Sequence, residues 1–205
     1  MTVACIRIPH FALRITLLER PELDGLPLVL TSPPLRLRSG QASNRVVVAG
    51  CTPEAEKQGI KPGMPLREVT ALCPDAVFVP PNPARDAAAF ARVVDALETF
   101  SPLVEPAEPG CCYVDLHGLE RHDATVQDAA DRLLRLVPPA LRPRAGVAPG
   151  KFTAWVAARQ APPGGVRIVA PAEVVRFLAP VPTDWLPLPD DLRKRLERLG
   201  LRTLS

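Results

Sequence analysis

Short apolar runs that alternate with amphipathic segments constrain the fold of this chain more than any other feature of its sequence. Seven such runs, each bounded by turn residues, predict β-strands at 2–8, 27–31, 45–49, 76–80, 111–116, 144–148 and 166–170. Between them, apolar residues recur every three or four positions and predict helices, the longest at 84–100 and 123–137. We therefore expect an α/β (α+β) sandwich of the split βαβ type, with a smaller inserted region between residues 12 and 75.

The C-terminal part of the chain has a different pattern. Residues 172–180 and 190–200 predict two short amphipathic helices, and a proline-rich turn separates them. We expect these two helices to form a separate small helical subdomain.

The composition is that of a globular protein with an ordinary hydrophobic core. Of the 205 residues, 47% are apolar and 23% are charged. The longest apolar runs fall well short of the ~18–20 residues of a membrane span, and the N-terminus lacks the layout of a signal peptide. We therefore expect a cytoplasmic protein with no membrane partner. The net charge of +3 is too small to indicate a nucleic-acid partner by itself, although residues 36–45 carry three arginines and no acid.

The five cysteines do not form a metal-binding or redox motif. They lie at positions 5, 51, 73, 111 and 112, without a CxxC or a zinc-type spacing. Adjacent residues of a strand point to opposite faces, so Cys111 and Cys112 cannot bind one ion together. We expect reduced, mostly buried thiols.

Several phrases resemble those of the Y-family (UmuC-like) DNA polymerases. They are RPELDGLPLVL (20–30), GIKPGMPLREVTALCPDAVFVPP (59–81), FSPLVEP (100–106), YVDLHG (113–118), GVAPGKFTAWVAARQAPPGG (146–165) and LERLGLRTL (196–204). The resemblance implies a ferredoxin-like palm at 1–11 and 76–171, an inserted fingers region at 12–75 and a helix-hairpin-helix-like thumb at 172–205. It also implies that the family's C-terminal DNA-gripping domain, the little finger, is absent from this chain.

The positions that match the family's magnesium ligands carry no carboxylate. Magnesium prefers hard oxygen ligands, and a pair of such ions stabilises the attacking and leaving oxygens of nucleotide transfer. By resemblance, two acids at the end of the first strand match Arg7 and Pro9, and an Asp-Glu pair on a later strand matches Gly110 and Cys111. We expect no bound cofactor and no catalysis, because Arg7 would repel a divalent cation and Cys111 is a soft ligand.

Other acids and the histidines do not replace this site. The nearby acids are Glu105, Glu108, Asp115 and Asp123, and no acid remains on the first strand to complete a pair with them. The three histidines, His10, His117 and His122, have no triad spacing with a serine or a cysteine.

The nucleotide-binding positions implied by the resemblance have also changed. The phrase that supplies a tyrosine and an arginine to the triphosphate has Pro53 and Glu56 in this chain. The aromatic residue that screens the sugar 2′-hydroxyl falls on Ala12, next to a retained Phe11. Lys151 is either a retained phosphate-facing and DNA-contacting cation or an exposed lysine at the start of a helix.

The turn of the thumb lacks the donors that bind DNA in the family. A Gly-x-Gly turn normally offers its backbone N–H groups to phosphates, whereas the matching residues 187–189 read Pro-Leu-Pro and precede two aspartates. We expect weak DNA contact through this turn. The cations of the next helix that can still contact a DNA backbone are Arg193, Lys194, Arg195 and Arg198.

The lost carboxylates and the altered turn make the chain similar to the ImuB-type proteins of bacterial mutagenesis cassettes. The resemblance implies a non-catalytic adapter, a pseudoenzyme, in DNA repair by damage-induced translesion synthesis. The implied partners are weakly bound DNA, an error-prone replicative-type polymerase, a RecA-like accessory protein and a sliding clamp. Two alternatives stay open: a weakly active translesion polymerase that uses magnesium in a degenerate site, and a plain DNA-binding module.

Overall fold

A computed structural model describes residues 2–33, 35–36, 42–43, 46–117 and 125–205 of the chain. The described strands are β1 (Val3–Arg7), β2 (Leu28–Thr31), β3 (Leu35–Arg36), β4 (Ala42–Ser43), β5 (Val48–Cys51), β6 (Val77–Val79), β7 (Val104–Glu108), β8 (Cys111–Asp115), β9 (Arg144–Ala148) and β10 (Val166–Ile168). The described α-helices are α1 (Phe11–Glu19), α2 (Pro53–Lys57), α3 (Leu66–Leu72), α4 (Pro83–Glu98), α5 (Val126–Leu136), α6 (Lys151–Gln160), α7 (Val174–Leu178) and α8 (Asp190–Arg198). Each of these helices is too short or too polar to span a bilayer.

The largest sheet has five strands in the order β10-β9-β1-β8-β7. The neighbours within β9-β1-β8-β7 are antiparallel, and β10 adds a parallel edge strand next to β9. The connection from β1 to β7 contains α4, and the connection from β8 to β9 contains α5. This order and these crossovers are those of a split βαβ, ferredoxin-like sheet, so the predicted α/β (α+β) fold is confirmed.

One face of this sheet carries the main hydrophobic core. Alternate residues of the strands, such as Ile6, Val114 and Val147, point toward α4 and α5. Leu97 of α4 and Leu133 of α5 are both 0% exposed. Burying a leucine side chain contributes about 1.5–3 kcal/mol, so this core fixes the two helices under the central strands.

The opposite face is partly covered by α6. Cys5, Cys111 and Ala148 pack there against the alanines of that helix. Gly146 permits the contact, because a Cβ atom at this position would lie 2.1 Å from the backbone oxygen of Ala154. Helix α6 therefore lies directly on β9 and β1, and it leaves Arg7 only half-buried at the end of β1.

The inserted region has a separate small core. Strands β5, β2 and β6 form a three-stranded sheet in that order, and β3 pairs with β4. Val29, Val48, Ile60 and Val69 pack between this sheet and its helices α2 and α3. The cluster shares no residue with the main core, as expected for an insertion that folds around apolar residues of its own.

Strand β7 is absent from the strands predicted from the sequence. All but one of its residues are exposed, and Pro106 lies within it. It is an edge strand, where proline is tolerated because no N–H is needed on the solvent side. Its polar sequence therefore lacks the alternation that predicted the buried strands. His122, Asp123 and most of the arginine-rich segment 36–45 lie outside the described residues.

Candidate active site

The four positions that match the family's metal ligands meet at one end of the five-stranded sheet. Strand β1 ends at Arg7, which lies opposite Cys111 in the antiparallel register with β8. The backbone N–H of Ile8 donates to the backbone oxygen of Gly110 at 2.7 Å, and Pro9 follows directly. The register of β1 and β8 therefore brings together residues that are about a hundred positions apart in the sequence.

Gly110 occupies a position that accepts no side chain. It lies in the tight turn between β7 and β8 with φ at +88°, in the left-handed region that favours glycine. A Cβ atom here would lie 2.7 Å from the backbone oxygen of Ile8 and 2.8 Å from Cβ of Phe11. This backbone therefore excludes an aspartate at position 110.

Cys111 is a buried thiol and not an open ligand. Its Sγ lies 3.8 Å from Sγ of Cys5 on the neighbouring strand, and the hydrogen bond between them lowers the pKa of Cys111 and raises that of Cys5. Cys112 points to the opposite face, where burial raises its pKa to about 12. All five cysteines are free and buried, which confirms the prediction from their spacing.

Arginines surround the end of β1. Arg7 lies opposite Arg144 on β9 as well as opposite Cys111 on β8. Burial lowers the pKa of Arg144, and the charge of Arg7 lowers it further. Burial likewise lowers the pKa of Arg14 on α1, and Arg142 and Arg144 add to that effect. Within the described residues, none of these arginines has a carboxylate oxygen within 4.0 Å.

These residues do not fit magnesium. In the part of the chain that the structure describes, no group of three or more His, Cys, Asp or Glu side chains could hold a metal ion. Two unit charges ~4 Å apart repel by about 4 kcal/mol at an effective dielectric constant of 20, and a dication beside Arg7 would face twice that. We therefore derive no step of the reaction through a bound metal.

A cavity of about 390 Å³ opens between the start of α1 and the three-stranded sheet. Its walls are formed by His10, Phe11, Ala12, Leu13, Leu30, Ala49, Gly50, Pro83, Asp86 and Pro109. Phe11 also belongs to the main core, since its ring packs edge-on against Phe90 with the centroids 5.6 Å apart. Phe11 and Ala12, which the resemblance matches to the family's nucleotide pocket and from which we expected no nucleotide binding, therefore form one wall of this cavity.

Arg85 holds this wall in place. Its guanidinium donates to the backbone oxygen of Ala12 at 3.1 Å and to Oγ1 of Thr16 at 3.1 Å. It also donates to the carboxylate of Asp86 at 2.8 Å. The start of α4 is thereby tied to α1. Sequence reasoning missed Arg85, because the contact joins residues that are far apart in the chain.

His10 lies on this wall, near enough to Glu56 for the two charges to interact. His10 is the residue before α1 and has a left-handed backbone with φ at +57°. Burial lowers its pKa, the charge of Glu56 opposes this, and three arginines add to the lowering. Glu56 and Pro53 both lie on the short helix α2, with Pro53 at its first position.

Lys151 is paired within the protein. Its Nζ forms an ion pair with Glu105 and lies 5.6 Å from the centroid of the Tyr113 ring. These three residues line a second cavity, of about 350 Å³, on the α6 face of the sheet. Because an exposed ion pair contributes only ~0–1 kcal/mol, a phosphate could displace Glu105 at little cost.

The cations of α8 differ in their surroundings. Arg193 is half-buried and donates to the backbone oxygen of Leu188 at 3.1 Å, so it supports the Pro-Leu-Pro turn. Lys194, Arg195 and Arg198 are exposed on the same helix. The structure thus separates one supporting arginine from three cations that face solvent.

The C-terminal segment contacts α6 through an aromatic stack. The Trp155 and Trp185 ring centroids lie 5.8 Å apart, edge to face. The Cζ atom of Arg159 lies 5.5 Å from the Trp155 centroid and 4.2 Å from the Trp185 centroid. The sequence shows two tryptophans in a chain with few aromatic residues. It does not show that these two side chains contact each other.

Comparison with known proteins identifies relatives of the chain. The sequence profile of the impB/mucB/samB family matches residues 6–159. A DNA polymerase IV of Xanthomonas campestris pv. campestris is 32% identical over 194 residues, which cover 91% of this chain and 50% of that protein. A DNA polymerase IV of Listeria monocytogenes is 28% identical over 190 residues, with coverage of 90% and 51%. The chain spans about half the length of these curated relatives.

Solved structures of the same class superpose on the whole chain. DinB from Sulfolobus solfataricus matches with a TM-score of 0.77 at 25% identity. The insertion ternary complex of Dbh DNA polymerase matches with a TM-score of 0.80 at 26% identity. Both matches cover 100% of this chain and 59% of the solved chain.

These names correct one expectation from the sequence. We expected a protein that is not an enzyme, because carboxylates are missing at positions 7, 9, 110 and 111. That expectation is wrong: the relatives and solved structures that the chain matches are named as DNA polymerases. The missing carboxylates affect how a metal ion could be bound. They do not exclude the chain from the family of DNA polymerases. The chain belongs to the impB/mucB/samB family of Y-family DNA polymerases.

Proposed function

We propose that the chain is the core of a translesion DNA polymerase that binds primer–template DNA and incorporates nucleotides slowly. The observation that carries this proposal is the superposition of the whole chain on the insertion ternary complex of Dbh DNA polymerase. The cavity beside Phe11 supports it, because it lies next to the end of β1 where the family carries out its chemistry. Slow incorporation follows from the degenerate metal site.

In this proposal the three parts of the chain have the roles that the resemblance implies. Residues 1–11 and 76–171 act as the palm, residues 12–75 as the fingers and residues 172–205 as the thumb. The separate cores of the five-stranded and three-stranded sheets support a boundary between palm and fingers. The absence of buried residues in α7 and α8 supports a thumb that is a small attached subdomain.

DNA contact in this proposal is mainly electrostatic. Lys194, Arg195 and Arg198 are exposed and available to phosphates, whereas the Pro-Leu-Pro turn offers few N–H donors. Lys151 becomes available when its pair with Glu105 opens. The expected signature is an affinity for DNA that falls steeply as salt is raised.

Primer extension tests the proposal. The 205-residue chain is incubated with a labelled primer–template, the four deoxynucleotides and either Mg²⁺ or Mn²⁺. We expect template-directed extension at least about 100-fold slower than that of a polymerase with intact carboxylates, since one lost charge-stabilising group costs about 10²–10³ in turnover. Arg67→Ala, at an exposed position on α3, is the matched control and should extend equally well. Extension no greater than in a protein-free control, with either metal, contradicts the proposal.

We propose a second role, the recruitment of other damage-tolerance proteins, alongside the first. The observation that favours it is the departure from the family pattern at positions 7, 9, 110 and 111, which the chain shares with ImuB-type proteins. The partners implied by that resemblance are an error-prone replicative-type polymerase, a RecA-like accessory protein and a sliding clamp. Pull-down of these three purified proteins by the chain tests this role, and binding of none of them contradicts it.

A further inference from the structure

We propose that Arg7, Arg14 and Arg144 form a binding site for phosphate groups that needs no divalent cation. The site lies at the end of β1, where the family's magnesium ligands would be. The inference rests on the proposed function, because DNA and nucleotides are the phosphate sources that such a protein meets. In this site fixed guanidinium groups supply the positive charge.

The strand register brings two of these charges together. Arg7 and Arg144 are direct cross-strand partners in the antiparallel pair of β1 and β9. Side chains of such partners share one face of the sheet, with Cβ atoms about 4.5–5.5 Å apart, and like charges in these positions repel each other. The protein does not neutralise them with a carboxylate, since neither has an ion pair among the described residues. A bound external anion would neutralise these two charges.

Arg144 also has an unused donor. Its Nη1 donates to the backbone oxygen of Arg159 at 3.3 Å, which holds the side chain in position. Its Nε is buried and has no hydrogen-bond partner. Buried N–H groups are nearly always satisfied, so this donor indicates a missing acceptor.

Arg14 completes the group from α1. It is half-buried, has no ion pair among the described residues and lies close enough to Arg144 for that charge to lower its pKa. The charges of all three arginines also lower the pKa of His10, on the wall of the 390 Å³ cavity. Arg14, on the helix whose first turn forms that wall, therefore adds a third cation to the pair of Arg7 and Arg144.

The chemistry of the group suits phosphate. A guanidinium presents several N–H donors in a planar fork that matches two oxygens of a phosphate. Three fixed positive charges complement the several negative charges of a polyphosphate. Asp24, Glu54, Glu56 and Glu108 are nearby, but none of them forms an ion pair with these arginines. The arginines therefore stay available to an external ligand.

Binding measured in EDTA tests the inference. Inorganic tripolyphosphate is titrated into the 205-residue chain by calorimetry, with all divalent cations removed. We expect binding, and we expect Arg7→Ala and Arg144→Ala each to weaken it by about tenfold or more, as for lost hydrogen bonds to a charged group. Arg144→Lys keeps the charge without the fork and should give a smaller loss. Arg67→Ala should bind as the unaltered chain does.

A second titration identifies the source of the phosphate. A fluorescent primer–template is bound in EDTA, with and without excess tripolyphosphate. Competition by tripolyphosphate, together with weaker DNA binding by Arg7→Ala, assigns the site to the DNA backbone. DNA binding that neither tripolyphosphate nor Arg7→Ala changes, in a chain that binds tripolyphosphate through these arginines, assigns the site to nucleotide-type phosphates. Either result supports the site.

The outcomes separate this inference from the proposed function. No binding in EDTA, or binding that Arg7→Ala and Arg144→Ala leave equal to that of Arg67→Ala, overturns the phosphate site, even if the chain extends primers. If the chain binds tripolyphosphate without divalent cations, if these substitutions weaken that binding and if the chain extends no primer, the site is supported. The polymerase proposal is then contradicted. Circular dichroism of each variant distinguishes loss of the site from loss of the fold.

Discussion

Single residues determine what the end of β1 can bind. Arg7 places a permanent cation where a metal would need a ligand, and Cys111 is buried against Cys5. Gly110 differs from both, because its backbone conformation and its neighbours exclude any side chain. The site has therefore changed its shape as well as its charge, and replacing one residue cannot restore the family's ligands.

Gly110→Ala should destabilise the protein by about 2–5 kcal/mol. The left-handed backbone costs an L-residue about 1–2 kcal/mol, and the clash with Ile8 and Phe11 adds about 1–3 kcal/mol. Urea unfolding of both proteins measures the difference. Gly50→Ala is the matched control, because no atom lies within 4 Å of a Cβ at that position, and it should change stability by less than about 1 kcal/mol. Equal stability of Gly110→Ala and the unaltered chain would show that the hairpin turn adapts.

The pKa of His10 predicts a dependence of stability on pH. Because partial desolvation and the neighbouring arginines outweigh the charge of Glu56 and lower this pKa in the folded state, the unfolded chain, with a histidine pKa of about 6.5, binds a proton first as the pH falls. The contribution of His10 is therefore fully present above about pH 6.5 and is lost as the pH falls toward the folded pKa. Comparing the unfolding free energies of the unaltered chain and His10→Gln from pH 7.5 to 5.5 measures this. The unaltered chain should lose more stability over that range, and parallel curves would contradict the assignment.

Secondary-structure elements show how much of the fold could be predicted from the sequence. Buried strands such as β1 and β8 have apolar runs and were predicted, whereas the exposed edge strand β7 has a polar sequence and was missed. The register of β1 with β8 and β9 depends on tertiary packing, and no local pattern encodes it. For this reason the sequence identified Arg7 and Cys111 but could not pair Arg7 with Arg144.

The C-terminal helices are held by partly buried side chains, among them Val174 and Phe177 of α7, which pack against the cluster that α6 covers. Neither α7 nor α8 contains a buried residue, and the stack of Trp155, Arg159 and Trp185 joins the segment to α6. A segment of this kind opens locally at a low free energy. Its attachment should therefore be sensitive to the loss of a single aromatic ring.

Trp185→Ala should release the C-terminal segment. Loss of the aromatic pair and the cation–π contact removes ~1–2 kcal/mol of attachment, which corresponds to roughly tenfold more opening. Trypsin cleavage near Lys194 under native conditions measures opening and should speed up by about that factor. Val175→Ala, whose side chain is in the same segment and 84% exposed, should leave the rate unchanged. An unchanged rate in Trp185→Ala would show that other contacts hold the segment.

The whole molecule combines a familiar polymerase scaffold with an altered charge pattern at its centre. The fold matches Y-family structures over the entire chain, while the described residues provide arginines and no group of metal ligands at the end of β1. The family resemblance predicted the scaffold correctly. It led to a wrong conclusion about enzyme class, because lost ligands alone do not exclude a chain from a catalytic family.

Primer extension by Arg7→Asp/Pro9→Asp tests the central claim most directly, namely that the altered metal site limits turnover. Only the two first-strand positions can receive an acid, because Gly110 excludes a side chain and Cys111 is buried. The account predicts that extension in Mg²⁺ rises by about tenfold or more over the unaltered chain, as a repelling cation gives way to oxygen ligands. Arg67→Asp, the matched charge control, should leave the rate unchanged. A folded Arg7→Asp/Pro9→Asp variant that extends primers no faster than the unaltered chain would contradict the account.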